Sequence, residues 1–311
     1  VERGERRKVL SVRIKPDSAQ AFKTFDVPDI RTASAEDMCR LLLESGIHAF
    51  LRQRPYDVVP TPGEMPKAIF VSTFSKMPLA ADFSYVVKGQ EEDFRMGIAA
   101  LSRIAKVYVG ISPEQMGTFL SKLKNAEVNV FDGPNPSGLV GVQINHVSPV
   151  NKGEIVWTLG AEEVLFLGRL VRTGRVDFSR VIAFGGSEVK LPAYRRCKVG
   201  QRLDVLLDDA LKPAGHHVRV IDGNPLVGRK AKGFLGAHTT EVCVIPEGDD
   251  VNEVLGWIMP RFGELSTHRS YLSAFCGKRA YNPDCRVKGG ERHMIMSGEY
   301  ERVFPMDIYP S

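Results

Sequence analysis

"KAIFVST", residues 67–73, is an unbroken apolar run of strand length, and its reading decides the fold. A strand covered on one face alternates apolar and polar residues, whereas a run without alternation is covered on both faces. The residues downstream keep the pattern. "EEDFRMGIAALSRIA" (91–105) sets Phe94, Ile98, Leu101 and Ala105 on one side of a helix, and "KVYVGI" (106–111) is a second apolar strand. "SPEQMGTFLSKLKN" (112–125) predicts a second helix, with Ser112 as cap, Pro113 in the first turn and Gln115 as capping-box partner. Met116, Phe119, Leu120 and Leu123 fall at core spacing in it, and "AEVNVF" (126–131) is a third strand. Doubly buried strands alternating with helices predict a parallel β-α-β-α-β unit, which binds ligands beyond the C-terminal strand ends. Those ends feed "STFSKMPLAADF" (72–83), "GISPEQ" (110–115) and "FDGPNPSG" (131–138).

Upstream, "SAEDMCRLLLESG" (34–46) predicts a short helix capped by Ser34 with Asp37 and closed by Gly46. "RKVLSVRI" (7–14) reads as a strand of a domain lying mostly upstream. Downstream, Trp157 and "AEEVLFLGRLVRTG" (161–174) give one more strand and helix. "QINHV" (143–147) reads as a strand containing His146. Then the pattern changes. "RVIAFGG" (180–186), "LPAYRRCKVGQRLDVLLDD" (191–209), "HHVRVIDGNPLVG" (216–228) and "TTEVCVIPEG" (239–248) read as strand, strand plus short helix, strand and strand. That order fits a small mixed α+β domain. The fold class expected is therefore α/β followed by α+β.

The chemistry sought in the loops is mostly missing. A dinucleotide site needs G-x-G-x-x-G directly after the first strand, yet no glycine lies between Phe70 and Tyr85. No P-loop and no G-x-S-x-G nucleophile elbow occurs. "FDGPNPSG", with Asp132, could offer backbone N–H groups to an anion, but it also serves as a plain connector. The five cysteines include no C-x-x-C pair, which argues against zinc ribbons and iron–sulfur clusters and suits a reducing compartment. His268 and His293 bracket Cys276 and Cys285 at spacings that match no zinc motif. His216 and His217 are adjacent and cannot both face one site.

Composition bounds the rest. Hydrophobic residues are 43% and charged residues 25% of 311, as in an ordinary globular protein. No apolar run approaches the roughly 18–20 residues of a membrane helix. The net charge of +5 comes from short clusters, "GERRK", "YRRCK" and "GRKAK", set among acids, so nucleic acid is not implied.

"FLRQRPYDVVP" (50–60) is the stretch whose chemistry is most specific. Pro55 keeps Arg54 extended, so Arg52 and Arg54 point the same way. Tyr56 adds an aromatic face beside two planar cations, with Phe50 nearby. Phe50, Arg52, Arg54 and Tyr56 suit a quinone head group or an acidic partner surface. The plainer alternative is that both arginines pair with local carboxylates such as Glu44 or Asp57.

The chain resembles a known family, the A subunits of the bacterial sodium-translocating NADH:quinone reductases. "RGERRKVLSVRI" (3–14), "LRQRPYDVVP" (51–60), "KAIFVSTFSKMPLAAD" (67–82), "FDGPNPSGLVGVQINHVSPV" (131–150), "VLFLGRLVRTG" (164–174), "RVIDGNPLVG" (219–228), "VLGWIMP" (254–260) and "GEYERVFPMDIYP" (298–310) carry it, in family order. The resemblance implies a remnant of an N-terminal barrel-like domain (1–20), a Rossmann-like domain (21–177), a β-grasp domain (178–246) and an irregular segment (247–311). It also implies a fragment without the N-terminal domain and the C-terminal helical region. The family member is peripheral, on the cytoplasmic face of the membrane, in a six-subunit complex. FAD, FMN, riboflavin and iron–sulfur centres belong to the other subunits, which pass electrons to ubiquinone, and this chain is expected to carry no cofactor and no catalytic residue.

Flavin-binding relatives carry several glycines near "SGIHAFLRQRPY" (45–56), where only Gly46 remains here. "FSKMPLA" stands where many members read D-T-N-P-L-A, and "ERVFPMD" where iron–sulfur relatives cluster cysteines. Two other function classes stay open on the sequence: a stand-alone flavin or NADH oxidoreductase, and a β-grasp module binding a small ligand.

Overall fold

A computed structural model describes residues 1–15, 19, 21–251, 255–266, 269, 271–277 and 279–286. Its elements in order are β1 (Glu2–Arg3), β2 (Val9–Ser11), α1 (Ala35–Ser45), β3 (Arg52–Arg54), β4 (Ala68–Ser72), α2 (Phe83–Val86) and α3 (Glu91–Leu101). There follow β5 (Lys106–Ile111), β6 (Glu127–Val130), α4 (Val140–Val147), β7 (Val156–Thr158) and α5 (Ala161–Thr173). The chain continues with β8 (Ser179–Gly185), β9 (Ala193–Lys198), α6 (Leu203–Leu207), β10 (Val218–Asp222), β11 (Arg229–Lys230) and β12 (Glu241–Pro246).

The first large sheet has the order β3-β7-β4-β5-β6. β4, β5, β6 and β7 run parallel, and β3 closes one edge antiparallel to β7. Its faces explain the sequence pattern. Ile69 and Val71 of β4 join Val107, Val109 and Ile111 of β5 beneath α1, α3 and α5. Ala68 and Phe70 turn the other way, onto Ile144 and Val140 of α4. Both faces of β4 are covered, so no polar alternation survives in "KAIFVST".

Helices α3 and α5 meet backbone to backbone. A Cβ on Gly168 would lie 1.7 Å from the Asp93 carbonyl, and one on Gly97 would lie 2.3 Å from that of Val164. Only glycine at both positions permits this approach. Arg172 of α5 also donates to Asp93 at 2.6 Å. The cap of α1 is as expected: the Asp37 N–H donates to Ser34 Oγ at 3.1 Å, and Gly46 takes φ 79°.

The second sheet has the order β11-β10-β12-β8-β9, with β12 and β8 parallel and the other pairs antiparallel. Leu203 and Leu206 of α6 pack on Ile182, Phe184, Val242 and Val244. On the opposite face Ile221, Cys243 and Ile245 are covered by Cys285.

Three readings need correction. Residues 112–125 form two 3-10 turns, Pro113–Gln115 and Phe119–Lys122, and not one helix. Gly117 separates them, and the Thr118 hydroxyl accepts from the Leu120 N–H to start the second turn. Leu120 and Leu123 are still buried, while Met116 is 56% exposed. His146 lies on α4, not on a strand. Val140, Ile144 and Val147, at helical spacing, face the sheet and fix that choice. Of residues 7–14 only Val9–Ser11 forms a strand, paired with β1 in an exposed hairpin.

Candidate functional site

The strand order reverses at β4: β5 and β6 lie to one side and β7 to the other. Open α/β sheets bind ligands at such a point, beyond the C-terminal strand ends. Here the chain's own side chains fill that crest. Gln143 of α4 is buried and donates its Nε2 to Ser72 Oγ at 2.9 Å and to the Ser137 carbonyl at 3.3 Å. It lies across β5, where a Cβ on Gly110 would come within 2.2 Å of its Oε1. Gln115 donates to the Thr73 carbonyl at 3.0 Å, and its Oε1 accepts from Thr73 Oγ1 at 2.9 Å and the Ser112 N–H at 3.0 Å. The "FDGPNPSG" loop closes over them, with Ser72 Oγ donating to the Gly138 carbonyl at 2.9 Å. The Gly133 N–H, a donor that an anion would need, goes to Asp132 Oδ1 at 2.7 Å.

Beside this crest a crevice of about 230 Å³ lies between the two sheets, bounded by Phe83, Gly160, Glu162, Glu163, His238 and Glu241. Its charges form a network that sequence reasoning missed. Arg180 of β8, with a fully buried side chain, donates to Glu162 at 3.2 Å and to Glu163 at 2.7 Å, both in the first turn of α5. A third donation, to the Ala237 carbonyl at 2.9 Å, fixes its plane. The two carboxylates share one guanidinium and diverge. Burial pushes Glu162 up to about 7, with Arg180 opposing and Glu163 adding. Burial alone would raise Glu163 as well, but His238, whose Nδ1 is 3.7 Å away, and Arg180 hold it below its ordinary value. Arg52 Nη2 sits 2.9 Å from His238 Nε2. A guanidinium can only donate, so a neutral His238 carries its proton on Nδ1, toward Glu163.

This network divides the four residues expected to act together. Phe50 is 8% exposed and packs edge-on against Phe166 and His238, so it offers no face to a ligand beside Tyr56. Arg52 turns to His238 and, among the described residues, to no carboxylate. Arg54 shares the strand face of Arg52, as the period of β3 requires, but pairs with Asp57 at 3.5 Å, the plainer alternative for that residue. The Gln53 N–H donates to the Val58 carbonyl at 2.7 Å, making 53–58 a tight turn with Tyr56 at its tip, 73% exposed. Val58, Val59 and Met65 are also exposed there. A groove of about 630 Å³ runs along this turn between Pro55, Tyr56, Met65, Val150 and Ile155, and Gln53 lines it. Among the described residues, Gln53 Oε1 and Trp157 Nε1, on directly paired positions of β3 and β7, have no hydrogen-bond partner.

Of the remaining candidates, His216 faces Glu188 at 3.2 Å and His217 faces Asp249 at 2.9 Å, two separate sites. His268 and His293 lie outside the described residues. Among the described residues no group of three or more His, Cys, Asp or Glu could hold a metal ion. Burial pushes the thiols of Cys197 and Cys243 up to about 11, which leaves neither a nucleophile. No helix among the described residues is long and apolar enough to cross a membrane.

Comparison with known proteins adds names to this geometry. A family model described as the NqrA second alpha/beta domain matches residues 33–176, and one described as the NQRA C-terminal domain matches 181–233. The chain is 36% identical to a protein of Neisseria meningitidis serogroup C, over all of this chain and 70% of that protein. Proteins of Actinobacillus pleuropneumoniae serotype 5b and Serratia proteamaculans match at 36% identity with the same coverage. All three carry the name of the A subunit of a Na(+)-translocating NADH-quinone reductase. A chain of a solved NAD+-reducing [NiFe]-hydrogenase aligns over 70% of this chain and 50% of its own, at 16% identity and a TM-score of 0.46.

Proposed function

The chain belongs to the family of Na(+)-translocating NADH-quinone reductase A subunits, and on that premise we propose that it is the peripheral, cytoplasmic-face subunit that assembles the complex without a redox cofactor of its own. As such a subunit it is part of an oxidoreductase, and its partners are the other subunits. Its first sheet, with the switch at β4, fits a Rossmann-like domain, and the five-stranded mixed sheet holding one short helix fits a β-grasp domain. The redox centres, flavins and iron–sulfur clusters, then reside in the partners.

One observation carries the cofactor-free reading. The space beyond β4 and β5, where a nucleotide's phosphates would approach the backbone, is occupied by hydrogen-bonded Gln115 and Gln143. Calorimetry with FMN and with NADH tests it: no heat of binding is expected at micromolar concentrations. A visible flavin band near roughly 450 nm in the purified protein would count against it.

The turn at 53–58 is the contact we assign to quinone or to a partner subunit. Supporting this are the exposed Tyr56, the apolar Val58, Val59 and Met65 around it, and the unpartnered Gln53 Oε1 beneath the groove. Phe50 and Arg52 support the turn from below, Tyr56 meets the ligand in the groove, and Arg54, on the strand face opposite Gln53, flanks it. The Arg54→Ala, Tyr56→Ala double variant should melt like the parent, because neither side chain is in the core. It should also lose labelling by a quinone analogue or assembly with partners. Unchanged labelling and assembly in the folded variant would make the turn a plain connector.

A further inference from the structure

The hairpin joining β10 to β11 presents an unusual tip. Leu226 is 70% and Val227 65% exposed, two adjacent aliphatic side chains facing solvent. Isolated apolar residues at a surface are ordinary, but here the backbone is built to display the pair. The buried Asn224 accepts from the Leu226 N–H at 3.0 Å and the Val227 N–H at 3.1 Å through its side-chain oxygen. The Gly228 N–H closes the turn on the Asn224 carbonyl at 2.8 Å. A Cβ on Gly228 would lie 2.4 Å from that carbonyl, so the turn requires glycine there. The tip is thus ordered before it touches anything.

Charge narrows what it touches. Residues 223–240 contain Arg229, Lys230 and Lys232 and no Asp or Glu. Lys230 lies 3.7 Å from Glu247, whereas Arg229 and Lys232 form no ion pair among the described residues. β11 is also the edge of its sheet. Basic residues on an edge strand protect it against pairing with another chain, and that would account for the lysines alone. Protection does not account for a rigid aliphatic pair at the tip, which works against solubility. A surface that is both apolar and anionic satisfies both halves.

We propose that this hairpin docks on an anionic phospholipid surface, with Leu226 and Val227 entering the headgroup layer and Arg229 and Lys232 meeting lipid phosphates. A basic side chain near such a surface contributes about fivefold in partitioning, and the aliphatic pair anchors the tip. One small hairpin supplies a weak, reversible attachment. It orients a protein whose main hold is on its partners, and it does not retain the chain on neutral lipid.

The test is flotation of the full 311-residue chain with vesicles. At low salt it should float with vesicles of equal phosphatidylglycerol and phosphatidylcholine, and stay down with pure phosphatidylcholine. Raising the salt to about 0.5 M should release it, because screening then acts over a few ångströms. Leu226→Ser with Val227→Ser should lower the partition coefficient roughly tenfold or more, and Arg229→Gln with Lys232→Gln by a similar factor. A Leu226→Trp variant gives an independent readout: its emission should shift to the blue on anionic vesicles only. No flotation with anionic vesicles, equal flotation with neutral ones, or variants that bind as the parent does would overturn the proposal. Capture by a purified partner subunit through the same two side chains, with no lipid binding, would overturn it too.

Discussion

Glu162 and Glu163 are neighbours in sequence, equally buried and bound to the same arginine, yet neutralising them should have opposite effects. The folded protein lifts Glu162 from 4.5 to about 7, so the native state holds that proton more tightly than the unfolded chain. The sign follows from linkage. The contribution of Glu162 to stability is full below pH 4.5 and is lost as pH rises through 7. A rise of that size corresponds to about 3 kcal/mol. Glu162→Gln removes the ionisation and keeps an oxygen that can accept from Arg180 Nε. At pH 8 the variant should therefore be more stable than the parent by up to about 3 kcal/mol, and at pH 5 nearly equal to it. Glu163 is held below its ordinary value, so its contribution is present above that value and is lost on acidification. Glu163→Gln takes the closer carboxylate from a fully buried guanidinium, and should cost about 3–5 kcal/mol at pH 8. Urea unfolding followed by circular dichroism at pH 5, 6, 7 and 8 reads both, provided the slope with denaturant stays constant. Equal destabilisation by the two substitutions at pH 8 would show that ionised Glu162 supports the fold as Glu163 does, and would refute the argument.

Two further outcomes follow from contacts described above. Gly168→Ala should destabilise by at least about 2 kcal/mol, because its methyl would overlap the Asp93 carbonyl and force α3 and α5 apart; a melting temperature within a degree of the parent's would contradict that contact. Ser34→Ala, which removes the side-chain cap of α1, should cost about 1 kcal/mol in urea unfolding without altering the groove at Tyr56.

The parallel unit was legible because burial of β4 on both faces leaves an apolar run of strand length, and the cap of α1 because its hydrogen bonds are local. Residues 112–125 misled for a complementary reason. Their apolar spacing is helical, but the Gln115 side chain is drawn to Thr73, 42 residues away, a competitor that no local pattern displays. α4 has only eight residues, and the strand reading of "QINHV" overlooked Val140, one turn before Ile144. At the candidate site the sequence singled out four residues, but their separation was not legible in it. Phe50 and Arg52 turn inward because β3 pairs with β7 and His238 arrives from the second sheet. Glu162 and Glu163 read in sequence as acids in the first turn of a helix, where they complement its dipole, and nothing local announces Arg180.

The glutamines that close the strand ends of the first sheet bear on how the protein matures in a cell. A fold whose crest is completed by a bound nucleotide gains stability by mass action, and lingers half-made when that nucleotide is scarce. Gln115 and Gln143 travel with the chain at unit stoichiometry, so this crest closes as soon as the chain has folded. On the cofactor-free reading proposed above, such a protein is available at the same rate in flavin-rich and flavin-poor cells.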